Sequence, residues 1–78
     1  MTDNTDQQPL SVVFQDAKLL KGGYDPSSGN LSIWFANGAQ YNYSGVPPAR
    51  WMDLTATSSP HTYFQKQIKP NYHGKKVG

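Results

Sequence analysis

The chain has 78 residues, a formal net charge of +2 and no cysteine. That length holds one small domain with a limited core, and the missing thiols exclude a disulfide framework and a thiolate metal centre, so stability must come from packing or self-association. No apolar run approaches the length that crosses a bilayer, and the opening MTDNTDQQPL lacks the basic and apolar regions of a signal peptide, so a cytoplasmic protein is expected.

Residues 1–9 are polar after the initiator and cannot repay the entropy of ordering; they are expected to form a disordered tail. Leu10 to Phe14 reads as a short edge strand or a hydrophobic strap, and Asp16 as a turn residue. Ala17 to Tyr24 reads as a strand weakened by Gly22 and Gly23, a pattern that points to a bulge or to close backbone approach. Asp25 to Asn30, DPSSGN, is dense in turn formers.

Leu31 to Tyr43, LSIWFANGAQYNY, is a hairpin: strand-forming runs flank Asn37-Gly38. A two-residue turn would mix apolar and polar side chains on both faces. A three-residue loop, Ala36-Asn37-Gly38 with Gly38 left-handed in a bulge, sends Leu31, Ile33, Phe35, Ala39, Tyr41 and Tyr43 one way. Ser32, Trp34, Gln40 and Asn42 then point the other. A one-residue slip reverses every side chain of the second strand, so the clean division selects the three-residue loop.

Pro47-Pro48 presets a helical first turn. Pro48, Trp51, Met52, Thr55 and Ala56 recur at helical spacing and predict the buried face of a helix over 48–56. Ser59-Pro60 starts a second helix, with the Ser59 hydroxyl available as a cap, a buried face of Tyr63, Phe64, Gln67 and Ile68, and Pro70 as its end. Residues 73–78 are expected to be a flexible basic tail, which leaves 10–72 as the single domain. The fold class is α+β: a small antiparallel sheet of three to four strands with two short helices packed on one face.

The order GYD (23–25), LSIWF (31–35), NGAQYNY (37–43), GVPP (45–48) and SPHTYFQKQIKPNY (59–72) resembles the KTSC domain, a family found at the C-terminus of some lysyl-tRNA synthetases and as free-standing small bacterial and phage proteins. The resemblance spans about residues 16–72, with Tyr41-Asn42-Tyr43 its most recognisable motif. This chain has His61 where the family usually has Gly, Gln65 in place of Asn, and Gly22 in place of an apolar residue. The resemblance implies the fold and, through the attachment to a synthetase, a role in RNA binding; it implies no reaction.

The candidate site residues follow from the hairpin and the charge distribution. Trp34, on a polar face beside Ser32, Gln40 and Asn42, has the composition of a surface for a base or a protein partner. Tyr41 and Tyr43 are either a stacking platform for bases or, as the chosen register favours, packing toward Trp51, Tyr63 and Phe64. Residues 50–78 hold five basic side chains against Asp53 alone, whereas residues 1–49 hold two against four acidic ones. Arg50, Lys66 and Lys69, with Lys75 and Lys76, could therefore neutralise phosphates or serve only to solvate the surface. Ser58, Ser59, His61 and Asp53 form no triad beyond sequence proximity, and His61 with His73 does not fill a coordination shell. The expectation is a non-enzymatic module without cofactor or metal, binding RNA or another nucleic acid through exposed aromatics and C-terminal basic residues. The alternative is a phage-encoded effector that binds and inhibits a host enzyme or defence component; a homo-oligomer is also compatible.

Overall fold

In a computed structural model, described for residues 10–78, the chain forms one antiparallel sheet with a helical layer on one face. The expected tail at residues 1–9 lies outside the described residues. The strands are β1 (Leu10–Val13), β2 (Leu19–Asp25), β3 (Asn30–Phe35), β4 (Gln40–Tyr43) and β5 (Gly74–Lys76), each paired to the next in chain order. Helix α1 (Pro48–Ala56) and helix α2 (Pro60–Tyr63), which continues as a π-helical turn over Phe64–Ile68, lie between β4 and β5 in sequence. Among the described residues no helix is long and apolar enough to cross a membrane.

The sheet is a plain meander because every connection but one is short enough to be a turn. The DPSSGN turn is fixed by Asp25, whose side chain accepts from the amide and hydroxyl of Ser27, and by Gly29 at φ 78°. The β3–β4 hairpin takes the three-residue loop: Phe35 and Ala39 close it, Gly38 stands at φ 96°, and Trp34 pairs with Gln40 while Ile33 pairs with Tyr41. In β2 the register shifts between Leu19 and Lys21, a bulge that lets both Leu19 and Gly22 face inward. Gly22 is needed there, since a Cβ would come within 2.9 Å of the Phe14 ring and 3.3 Å of Trp51.

The inner face of the sheet and the helices share one core of Leu19, Tyr24, Leu31, Ile33, Tyr43, Val46, Trp51, Leu54, Phe64 and Ile68. Tyr24 stacks on Trp51 at 5.6 Å and donates its hydroxyl to the Val46 carbonyl at 2.6 Å, tying the segment before α1 to the sheet. Phe64 meets Phe35 and Tyr43 edge to face at 5.5 and 5.4 Å.

Four expectations need correction. The sheet has five strands, not three to four, and the extra strand is built from the expected C-terminal tail. Val77 donates to the Gln40 carbonyl at 2.8 Å and Gln40 to Gly78 at 3.2 Å. Two adjacent lysines hide the alternation of β5, and at an edge they are no obstacle to pairing. Helix α1 has the expected bounds but buries Trp51 and Leu54, while Met52 is 64 % exposed. With residues about 100° apart around a helix, turning Leu54 inward beside Trp51 necessarily turns Met52 out. Finally, the Ser59 hydroxyl makes no cap; its backbone carbonyl accepts from Tyr63 at 3.0 Å, and Pro60 at the first helical position leaves no amide there to satisfy.

Candidate binding surface

The pleat divides the candidate residues between two sides of the sheet. On the outer face, which none of the described helices covers, Val13, Lys21, Trp34 and Gln40 form one row across the strands. Ser11, Gly23, Ser32, Asn42 and Lys75 form the next. Trp34 therefore stands where the hairpin register puts it. It is half-buried rather than free: the Lys21 ammonium lies 4.8 Å from the indole centroid, and the far edge of the ring reaches over Gly23, whose missing side chain makes the room. The Ser32 hydroxyl donates to the Asn42 carboxamide oxygen at 2.8 Å, which leaves the Asn42 amino group turned to other acceptors. Beside the indole a cleft of about 650 Å³ opens between β1 and β3, floored by Gly23 and bordered by Val13, Lys21, Ser32 and Asn42.

Tyr41 and Tyr43 point to the other side. Tyr43 is buried, and burial first, then proximity to Tyr41, pushes its phenol above the usual range. Tyr41 packs edge to face on Phe35 at 5.7 Å and borders a smaller cavity of about 260 Å³ with Gln65 and Lys69. Neither ring extends the Trp34 surface: both pack on the core side, as the hairpin register favoured, and the alternative stacking platform does not form.

Arg50, Lys66 and Lys69 also lie in the helical layer. Arg50 donates from Nη1 to the Tyr63 hydroxyl and to the Gln67 side-chain oxygen, both at 3.3 Å, and Tyr63 in turn donates to Asp53 at 3.3 Å. Hydrogen bonding to Tyr63, then to Tyr72, raises the guanidinium above its ordinary value. Lys66 and Lys69 are exposed on the π-helical turn and its end. Arg50, Lys66 and Lys69 are thus separated from Trp34 by the sheet itself, whereas Lys75, paired with Asn42, lies on the Trp34 side.

Gly22 and Gly23 pointed to a bulge or close approach in this strand, and both occur; what escaped the sequence reading is that the bulge falls at Leu20 and brings Lys21 opposite Trp34, and that the ring received by Gly23 lies diagonally across from a neighbouring strand. Asn42 was named with Trp34 on the polar face, but its bond to Ser32 required the register.

Relatives agree with this architecture. The KTSC domain profile matches residues 15–72. An uncharacterized protein of Stutzerimonas stutzeri is 34% identical over 62 residues, covering 80% of this chain and 87% of its own length. A protein of Tsukamurella paurometabola is 38% identical over 58 residues, covering 74% and 87%. The crystal structure of a KTSC domain protein from Yersinia pestis superposes with a TM-score of 0.82 at 28% identity, over 91% of this chain and all of that one. With the profile spanning most of the sequence and the whole of the helical layer, the chain belongs to the KTSC domain family.

Proposed function

We propose that this domain is a non-enzymatic binding module whose uncovered sheet face takes single-stranded nucleic acid, RNA in particular. The observation that carries the reading is the placement of Trp34 beside an open cleft with Lys21, Gln40 and Asn42 around it. An indole supplies a stacking surface worth about 1–3 kcal/mol per base. The two carboxamides offer donors and acceptors to base edges, and Lys21 and Lys75 are placed for phosphates. With two phosphates neutralised, the logarithm of affinity should fall against the logarithm of salt with a slope of about −1.4.

The test is a titration of short single-stranded RNA at low salt, read by gel shift and by fluorescence, with Trp51 as a buried internal reference. Trp34→Ala should weaken binding about tenfold. No binding by the wild-type chain at low salt ends the nucleic-acid reading.

A second reading is supported by a different observation. Around β1 the surface exposes Leu10, Val13 (66 %) and Leu20 (51 %), and β1 is an edge strand with no charged residue to guard it, whereas the opposite edge, β5, carries Lys75 and Lys76. Such an edge suits a protein partner that adds a strand, in keeping with an inhibitory effector of phage origin. Binding that survives salt but fails when Val13 is replaced by Lys would favour it.

A further inference from the structure

We propose that Asn37, at the tip of the β3–β4 hairpin, is a site of spontaneous covalent modification that the closed loop holds back: its carboxamide is converted to aspartate or isoaspartate when the hairpin end opens. Asn37-Gly38 is the one Asn-Gly pair in the chain, and both residues are exposed. In an open loop the Gly38 nitrogen, once a base has taken its proton, attacks Cγ of Asn37. The N–Cγ bond forms, the Cγ–Nδ2 bond breaks, and Nδ2 leaves as ammonia with a proton from solvent. Water then opens the five-membered imide at either carbonyl, giving aspartate or isoaspartate. A glycine at the attacking position has no Cβ to crowd that ring. Around Gly38 even an added Cβ would meet nothing within 4 Å, so water has free access.

The closed loop withholds the nucleophile. Gly38 donates its N–H to the Phe35 carbonyl at 2.9 Å, so Phe35 to Gly38 is a hydrogen-bonded four-residue turn. Neither Ala36 nor Asn37 has a positive φ, which leaves type I among the common hydrogen-bonded turns and sets ψ of Asn37 at about 0°. At that angle the Gly38 nitrogen is turned away from Cβ of Asn37, whereas the imide ring needs the two eclipsed about the Cα–C bond. The Asn37 side chain is held as well, since Oδ1 accepts from the Ala39 amide at 3.0 Å. That bond polarises Cγ towards attack, but the polarised carbon is inert while the nitrogen is misdirected and keeps its proton. The ring cannot close without breaking the bond from Gly38 to Phe35, so the reaction counts openings of the hairpin end. Isoaspartate cannot return to the same loop. It routes the main chain through the side-chain methylene and inserts one backbone atom, so the Phe35 bond to Ala39 and the adjoining pair of Trp34 with Gln40 lose their register.

The experiment incubates the full chain at pH 8 and 37 °C, with and without denaturing urea, and follows conversion by peptide mapping; mass detects the loss of the amide and chromatography separates the two acids. In urea Asn37 is expected to react well before Asn30, Asn42 and Asn71. In the folded chain it should react at least about tenfold more slowly than in urea. The purified isoaspartate form should lose hydrogen-exchange protection at the Phe35 amide. Asn37→Asp, which carries the new charge without the extra backbone atom, should keep that protection. Equal rates in the folded and unfolded chain, no conversion in urea, earlier conversion at another asparagine, or a protected Phe35 amide in the isoaspartate form would each overturn the proposal.

Discussion

A hydrogen atom at position 74 decides whether the fifth strand can exist. Gly74 lies so close to the Tyr43 ring that an added Cβ would collide with it. Gly74→Ala should therefore release β5 while leaving the core standing, at a cost of about 1–3 kcal/mol. Hydrogen exchange would show it: the Gln40 and Val77 amides should lose protection and the Ile33 amide keep it. A variant with unchanged protection at Gln40 would mean that Tyr43 can yield. Asp16 matters at the same scale. Its carboxylate accepts from the Lys18 amide at 2.9 Å and the Leu19 amide at 3.1 Å, and the Lys18 bond, chiefly, holds its pKa below the ordinary carboxylate range. Because the folded value is lowered, this stabilisation is complete above the unfolded value near 4 and is lost as pH falls through the folded one. Asp16→Ala should cost about 1 kcal/mol near neutral pH and progressively less in acid. Thermal melts at pH 6 and pH 2.5 would check that the two curves converge.

At the scale of elements, the hairpin was legible because only one register separates its apolar and polar residues. Gly38 at φ 96° and the pairing of Ile33 with Tyr41 follow from that single choice. The bounds of α1 were legible for a related reason, since Pro48 fixes its start and helical spacing its length. Its inward face was not, because Leu54 and Met52 are equally apolar and only the docking of Trp51 on Tyr24 tells them apart. Strand β5 escaped altogether: its pairing rests on main-chain bonds and on Gly74, neither of which leaves a hydrophobic period. The second helix joins the sheet mainly through Phe64 and Ile68, both buried, with Phe64 between the rings of Phe35 and Tyr43. Phe64→Ala should cost about 3–5 kcal/mol. A domain of this size has little more than about 5 kcal/mol to lose. Circular dichroism should find the variant largely unfolded at 37 °C; a cooperative melt within a few degrees of wild type would mean that the helical layer is held elsewhere.

For the molecule as a whole, the sheet acts as a partition. Sequence reasoning named Trp34, Gln40, Tyr41, Tyr43, Arg50, Lys66 and Lys69 as candidates with Trp34 and Gln40 already on the face opposite the tyrosines; the fold keeps that division and puts Arg50, Lys66 and Lys69 on the helical side with the tyrosines. The alternation of a strand is enough to divide Trp34 from the tyrosines. Which side the lysines and Arg50 take depends on where the helices dock, and no local spacing encodes that. The partition has a consequence for binding. If RNA lies on the outer face, Arg50 can act on it only through the field of its charge, which is screened over about 10 Å at 0.1 M salt. Arg50→Gln should then leave RNA affinity at that salt within twofold, while Trp34→Ala loses about tenfold and the double variant loses no more than Trp34→Ala alone. Four titrations, one for each protein, decide it. Comparable losses from both single substitutions would mean that one strand wraps the edge of the sheet and engages both layers, and the two surfaces would have to be treated as a single site.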